Sequence, residues 1–433
     1  MNKPKSSKLF CILLAFCATT AIASPAQILT TLHSFTGYPF DGAGLDSAVA
    51  RGSDGNYYGT TGAGGDNCYP SGCGTVFKIT PGGTETTLYS FCSQYNCVDG
   101  IDPYGALVQA PDGNFYGTTS SGGSGADDAG TVFKITPTGT LTTLYSFCSQ
   151  PNCADGRYPG GVVMATDGNF YGVTGGGGSS SCTDDGCGTI FKITPSGTLT
   201  TIYTFCSQGN CPNGYGPDGL IQATDGNFYG ATGYGGASGN NCDGFGCGTI
   251  FKFTPSGTLT TLYSFCTQTG CPDGQFPNGH LVQGSDGNFY GTTSAGGIDS
   301  CFPNGCGTIF KITPTGTLNT LYSFCSQPNC ADGRNPMAPP VQGADGNFYG
   351  TTYTGGANYS GTIYKITPSG ALTTLYSFCH TSGCPDGLFP ASGLVPAPGG
   401  TFYGTTDEGG TSNDGTVFRL TLLRACSHCP NIE

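Results

Sequence analysis

The residues best placed to do chemistry are five aspartates that return in one phrase, Asp-Gly-x-x-Pro: Asp99, Asp155, Asp273, Asp332 and Asp386. Asn213 takes the position once, and Asp41-Gly42 is a partial copy without the proline. Carboxylates gathered around one opening would hold a cation or the hydroxyls of a polyol. The plainer reading is that each Asp bonds backbone N–H groups of its own turn. Aromatic residues follow in several copies (Tyr104, Tyr158, Tyr215, Phe276 and Phe389), and they either stack on sugar rings or pack beneath the loops. Arg157 and Arg334 follow the Asp-Gly step in two copies only. With His280 they are the asymmetric groups that a reaction would need, since catalysis requires different groups around one reacting atom. The ligand-binding candidates are therefore Asp99, Asp155, Arg157, Tyr158, Asp273, Asp332, Arg334 and Asp386. No Gly-x-Ser-x-Gly, His-Glu-x-x-His or phosphate loop is present.

Such groups must be positioned by something regular, and the chain is regular throughout. A phrase of about 58 residues, the spacing of Asp54 and Asp112, is stated seven times. Asp-Gly-Asn turns begin at Asp54, Asp112, Asp167, Asp225, Asp286 and Asp345, with a degraded seventh at Gly399. Each unit holds four short runs rich in β-branched and aromatic residues, bounded by Gly, Pro, Asn and Asp. In the second unit these are A (Leu107 to Ala110), B (Asn114 to Thr119), C (Gly130 to Thr136) and D (Leu141 to Phe147). Asp-Gly joins A to B, and Pro-Thr/Ser-Gly joins C to D, both strong turn signals. Four antiparallel strands repeated radially predict an all-β, seven-bladed β-propeller. The last unit stops after strand C, near Thr421, while residues 28–35 read as a strand D at the other end of the chain. The N-terminal strand is thus expected to complete the seventh blade and remove an exposed sheet edge.

Cysteine spacing adds a second regularity. Ten pairs have four residues between them: Cys68 with Cys73, Cys92 with Cys97, Cys148 with Cys153, Cys182 with Cys187, Cys206 with Cys211, Cys242 with Cys247, Cys266 with Cys271, Cys301 with Cys306, Cys325 with Cys330 and Cys379 with Cys384. An eleventh, Cys426 with Cys429, lies in a short polar tail over 422–433 and reads as structural or as redox-active. Zinc sites use closer spacing and usually histidine, and no His lies inside the ten pairs. The pairs are expected to be local disulfides, each worth about 2 kcal/mol by loop closure. The ten occur only between B and C or between D and the next A, connections that share one rim of a propeller. That rim is expected to carry stapled loops and the other tight hairpins, with binding on the looped face.

Residues 1–23 resemble a secretory signal peptide, with Lys3, Lys5 and Lys8 before an apolar stretch and Ala21-Ile22-Ala23 at a cleavage position. Its removal leaves a chain, already at −13, still more acidic, which argues against nucleic acid as a partner. No other stretch is long and apolar enough to span a bilayer. A monomer is expected, in the periplasm or outside the cell. Strand C carries one cation per blade: Lys78, Lys134, Lys192, Lys252, Lys311, Lys365 and Arg419. Their stems are expected to pack along the sheet and their heads to meet an acid or a carbonyl. No cofactor is expected, with calcium left open.

The combined phrases "DGNFYGTTS.GG", "GTVFKITP.G.LTTLYSF" and "DG..P..LVQ" resemble the GloVer tandem-repeat family of exported bacterial proteins over residues 28–421. The resemblance implies export and a propeller-like domain, and it brings no catalytic residues. Repetition of the same residues in each blade favours a non-catalytic binding or scaffold module for a glycan, a cation or another protein. The alternative is an extracellular polysaccharide-active enzyme, a lyase or hydrolase, with its site at the channel mouth.

Overall fold

The computed structural model describes residues 27–423, apart from 180, 181, 183, 184, 208, 209, 237–241, 298–300 and 302–304. The expected leader, residues 1–23, lies outside the described residues. So does the tail, and with it the expected pairing of Cys426 and Cys429. Seven antiparallel blade sheets follow one another along the chain; among the described residues, a two-stranded sheet of Gly42–Ala43 and Ala63–Gly64 and short 3-10 turns lie outside them. In the second blade the strands are A (Ile101–Gln109), B (Phe115–Ser121), C (Thr131–Ile135) and D (Leu141–Ser146), paired in that order. Strand A borders the central channel and strand D the outer edge. Gln27–Ser34 pairs antiparallel with Thr416–Leu422, Ile28 opposite Thr421 and Ser34 opposite Thr416, so the opening strand is strand D of the seventh blade.

The core lies between blades rather than within them. Tyr58 stacks on Phe115, Tyr116 on Phe170, Tyr229 on Phe289 and Tyr290 on Phe348, with ring centroids 3.8–4.1 Å apart. The circle closes where Tyr403 of blade seven meets Tyr57 of blade one at 3.9 Å. A second ring of edge-to-face contacts links strand D of each blade to strand C of the next. Phe147–Phe191 at 5.2 Å is one link, and Phe35–Phe77 at 5.1 Å closes the circle. Each such pair adds about 0.5–1.5 kcal/mol beyond the area it buries. Inside each sheet a buried threonine of strand B faces one of strand C, as Thr119 and Thr131 do with Oγ1 atoms 2.9 Å apart. All seven blades have this bond.

Two phrases that look independent in the sequence are one lock in space. The Gly that opens Gly-Thr-Val/Ile lies against the Pro of the Asp-Gly-x-x-Pro phrase of the following blade. A Cβ on Gly130 would lie 2.6 Å from Pro159 Cδ and 2.3 Å from the Thr119 carbonyl. Where the proline is missing, Leu45 takes its place 2.7 Å from the same position on Gly415, so the partial copy still closes the ring.

Strand A differs from its sequence-based bounds. In blade two it starts at Ile101, inside the segment expected to be loop, and carries Asp102 and Gly105 at φ +56° and +81°. It is continuous in blades two, three and four. In blade five it is split into Gln275–Pro277 and Val282–Gln283, and it shrinks to two or three residues in blades one, six and seven. The inner wall is therefore less symmetric than the repeat.

Candidate functional site

The Asp-Gly-x-x-Pro carboxylates lie at the outer edge of the blades, not around the channel. Asp155 is fully buried, and its carboxylate accepts from Tyr145 Oη (2.8 Å), Ser149 N (3.0 Å) and Gln150 N (3.2 Å). Asp99 and Asp332 repeat this pattern with Tyr89 and Tyr322. Asp273 and Asp386 accept from Tyr263 and Tyr376 and from the N–H of Cys266 and Cys379. Burial, and then the adjacent carboxylate, push Tyr145, Tyr263 and Tyr376 well above the usual phenol range. Each Asp thus braces the turn that its neighbouring disulfide closes. The ten expected pairs are all formed, from Cys68 and Cys73 at the start of the ring to Cys379 and Cys384 near its end. The last of them joins sulfurs whose Cα atoms are 4.2 Å apart, in the loop that Asp386 holds. The stapled loops share one rim.

The two arginines do not meet. Arg157, in blade three, donates to Asp127 Oδ2 (2.8 Å) and Asp185 Oδ1 (3.2 Å), with its guanidinium 5.7 Å from the Tyr158 ring. Arg334, in blade six, donates from Nε to Thr354 Oγ1 at 3.1 Å. The strand-C lysines reach the hairpin aspartates: Lys192, Lys252 and Lys311 pair with Asp167, Asp225 and Asp286 at 2.7–3.1 Å. Those aspartates also hold their own turns, as Asp167 does by accepting from Asn169 N at 3.0 Å. Their charges are satisfied locally on the hairpin rim.

The site that the geometry builds is the channel itself. A cavity of about 280 Å³ is lined by strand A itself in blades two and four, by the segment leading into strand A in blades one and seven, and by both in blades five and six. Tyr104 reaches across blade three to Asp218 of blade four, Oη to Oδ1 3.3 Å. His280 comes from the break in blade five's strand A and rests on the backbone of blades three and four. A Cβ on Gly219 would lie 2.5 Å from its Nε2, and one on Gly161 3.9 Å. Leu281, Val282, Met337 and Pro339 supply an apolar wall, and Asp46 and Ser47 face it from blade one. No lysine or arginine is among the lining residues.

Carboxylates crowd the edge of this cavity at Asp46, which lines it: Asp102 of blade two acts on the Asp46 charge, and Asp46 and Glu408 act on Asp407 of blade seven, so this edge is an acidic mouth. Burial within the ring, and then the charge of Asp102, raise Asp46 above the usual carboxylate range. Asp407 is pushed up to about 6 by burial and then by the charges of Asp46 and Glu408, with the Tyr353 hydroxyl (3.4 Å) acting the other way. Tyr353 is itself stacked on Phe389, centroids 5.0 Å apart. The Asp218 charge, reinforced by burial, raises Tyr104. The mouth is a place where one more negative charge is costly and a cation or a hydroxyl donor is favoured.

Of the expected residues, then, His280 and Tyr104 line the channel, while Asp99, Asp155, Asp273, Asp332 and Asp386 are held beneath their loops. Asp46, Asp102, Asp218 and Asp407 were missed. Their signal is departure from the phrase: Asp102 occupies the place of Tyr158 and Phe276, and Asp407 follows the Thr-Thr pair where Gly62 or Ser120 stands in other copies.

The Gloeobacter/Verrucomicrobia repeat model matches residues 19–184, 150–329 and 300–427. The chain belongs to this repeat family. No curated protein matches this Gloeobacter/Verrucomicrobia repeat protein in sequence. Among solved structures, a polysaccharide lyase of family PL25, an ulvan lyase bound to -[GlcA(1-4)Rha3S]-, superposes with a TM-score of 0.50 at 10% identity, over 90% of this chain and 96% of that one. A luciferin-regenerating enzyme gives 0.43 at 14% identity (74% and 91% covered), and a putative gluconolactonase 0.39 at 13% (74% and 89%). At such identities the likeness is one of fold.

Proposed function

We propose that this repeat protein is an exported, non-catalytic binding propeller that takes a neutral or amine-bearing sugar into the mouth of its channel. One observation carries the reading: the cavity joins an apolar wall at Leu281, Met337 and Pro339 to the acceptors Asp46 and Asp218 and the Tyr104 hydroxyl, with no cation in its lining. Ligand sites of this kind are mostly apolar with a few convergent polar groups. Its volume stands at the small end of the range, about 300–1,000 Å³, which fits one ring of a chain rather than a long stretch. The acidic mouth favours hydroxyl or ammonium donors and opposes uronates and sulfated sugars. Export agrees with ten disulfides and with the leader. Among the described residues no helix is long and apolar enough to cross a membrane.

The test is calorimetry and product analysis with chitosan, cellulose and oligouronate fragments. Binding of the first two without cleavage, abolished in Tyr104→Ala and weakened in Asp218→Asn, is expected. Preference for oligouronates, or product release that disappears in His280→Ala, would replace binding by the polysaccharide-active enzyme.

A further inference from the structure

Sulfur is concentrated in this protein beyond what its loops require. In blades one, four and five, the disulfide of the B-to-C gap lies against the disulfide after strand D. The four sulfurs of Cys68, Cys73, Cys92 and Cys97 all lie within 4.8 Å of one another. So do those of Cys242, Cys247, Cys266 and Cys271, and those of Cys301, Cys306, Cys325 and Cys330. In blade three Cys182, Cys187 and Cys206 meet the same limit, and Cys182 Sγ is 3.5 Å from Cys211 Sγ.

The backbone explains the meeting without needing the sulfur. The carbonyls of Cys73, Cys187, Cys247 and Cys306 accept from the N–H groups of Asp102, Gly216, Phe276 and Asn335, at 2.8–3.0 Å. In blades two and six the same bond runs from Tyr158 to Ala129 (2.9 Å) and from Phe389 to Ser360 (3.0 Å). The two loops therefore dock in the same way with or without the second cysteine pair.

We propose that each of the four clusters is a two-state site: two disulfides when oxidised, and a four-thiolate zinc site when reduced. The oxidised state is the one in the structure. Reduction takes two molecules of a dithiol per cluster. Each dithiol closes to a cyclic disulfide and delivers two electrons and two protons to one protein disulfide. Zinc then displaces the four thiol protons to solvent and forms four Zn–S bonds. Zn–S bonds of about 2.3 Å place tetrahedral sulfurs about 3.8 Å apart. Sulfurs within each former bond must separate and those across the cluster must close in, inside the 4.8 Å they already span in blades one, four and five, and in blade three with Cys211 drawn in from its 3.5 Å contact with Cys182. The ring need not unfold, because the aromatic circles and the threonine bonds between strands B and C do not depend on sulfur.

The experiment reduces the native protein with dithiothreitol, removes the reductant without air, adds zinc, desalts, and reads bound metal together with far-ultraviolet circular dichroism. About four zinc ions per folded chain are expected, and essentially none for the oxidised protein. Cobalt in place of zinc should give the intense visible bands of a tetrahedral thiolate site. Cys73→Ser combined with Cys97→Ser should lower the count by one. Cys148→Ser combined with Cys153→Ser, in a blade with a single disulfide, should leave it unchanged. Fewer than one ion per folded chain, equal losses in both double variants, or collapse of the β spectrum on reduction would each overturn the proposal.

Discussion

Replacing Asp407 by Asn should make this protein more stable in a pH-dependent way. The folded carboxyl holds its proton up to about pH 6, because burial and the charges of Asp46 and Glu408 oppose ionisation. In the unfolded chain the ordinary value is about 3.9. The contribution is thus fully present below about pH 4 and is lost as pH rises through about 6, where the folded state must give up a proton that it holds more tightly than the unfolded state does. Two pKa units correspond to about 3 kcal/mol at most. Asp407 is only partly buried, and solvent screening reduces this to about 1 kcal/mol. The amide keeps an acceptor for Tyr353 Oη and does not ionise. Denaturant unfolding of Asp407→Asn and of the parent should be compared at about pH 4 and about pH 8. The fixed difference between amide and acid cancels, and the variant's advantage should grow by about 1 kcal/mol at the higher pH. High salt should shrink that growth. A stability difference that is flat with pH, or that moves against the variant as pH rises, would refute the acidic mouth.

Three further outcomes follow from the packing. Asp155→Ala strands three donors, Tyr145 Oη and the N–H groups of Ser149 and Gln150. It should cost about 2–4 kcal/mol and open the Cys148–Cys153 loop to limited proteolysis, while leaving ligand binding at the channel intact. Gly117→Ala puts a Cβ 2.7 Å from Phe133 Cζ and 2.8 Å from Leu107 Cδ2; overpacking should lower stability by about 1–3 kcal/mol, read by thermal melting. Deleting residues 27–35 removes the strand paired with Thr416–Leu422 and the Phe35–Phe77 contact. Size-exclusion chromatography should then show self-association through the exposed edge, and an unchanged monomer of unchanged melting temperature would count against ring closure.

The repeat made the fold legible because a propeller uses the same contacts seven times. Tyr-Gly-Thr-Thr recurs since the tyrosine stacks on the next blade, the glycine makes room for a strand-C ring and the last threonine bonds to strand C. Loss of any of these in one blade would open the same gap. The missing strand D at Thr416–Leu422 and the spare one at Gln27–Ser34 were readable for a related reason: the unit has a fixed content, so a deficit at one end is visible as a surplus at the other. The start of strand A was not readable. Asp102 and Gly105 at positive φ, with Pro103 between them, carry loop signals inside a segment that pairs as strand.

The site was poorly legible for the opposite reason. Repetition identifies what every blade needs, so the five recurring aspartates turned out to serve their own loops. The channel is the one place where all blades face each other and where seven identical large side chains would collide or seven identical charges repel. A cavity there requires blades to differ. Glycine at 161 and 219 admits His280, Asp218 receives Tyr104 from two blades away, and the interrupted strand A of blades five, six, seven and one leaves the space. Asp102 of blade two and Asp407 of blade seven stand where the other copies carry no acid, and Asp46 of blade one has its equal only in Asp218. In a closed ring of repeats, the residues that break the phrase near its axis are the ones free to specify a ligand. The Tyr104–Asp218 pair is where that freedom is most plainly used, because one phrase position, the residue after the proline, is Tyr in blade two and Asp in blade four, and each needs the other's blade to be met.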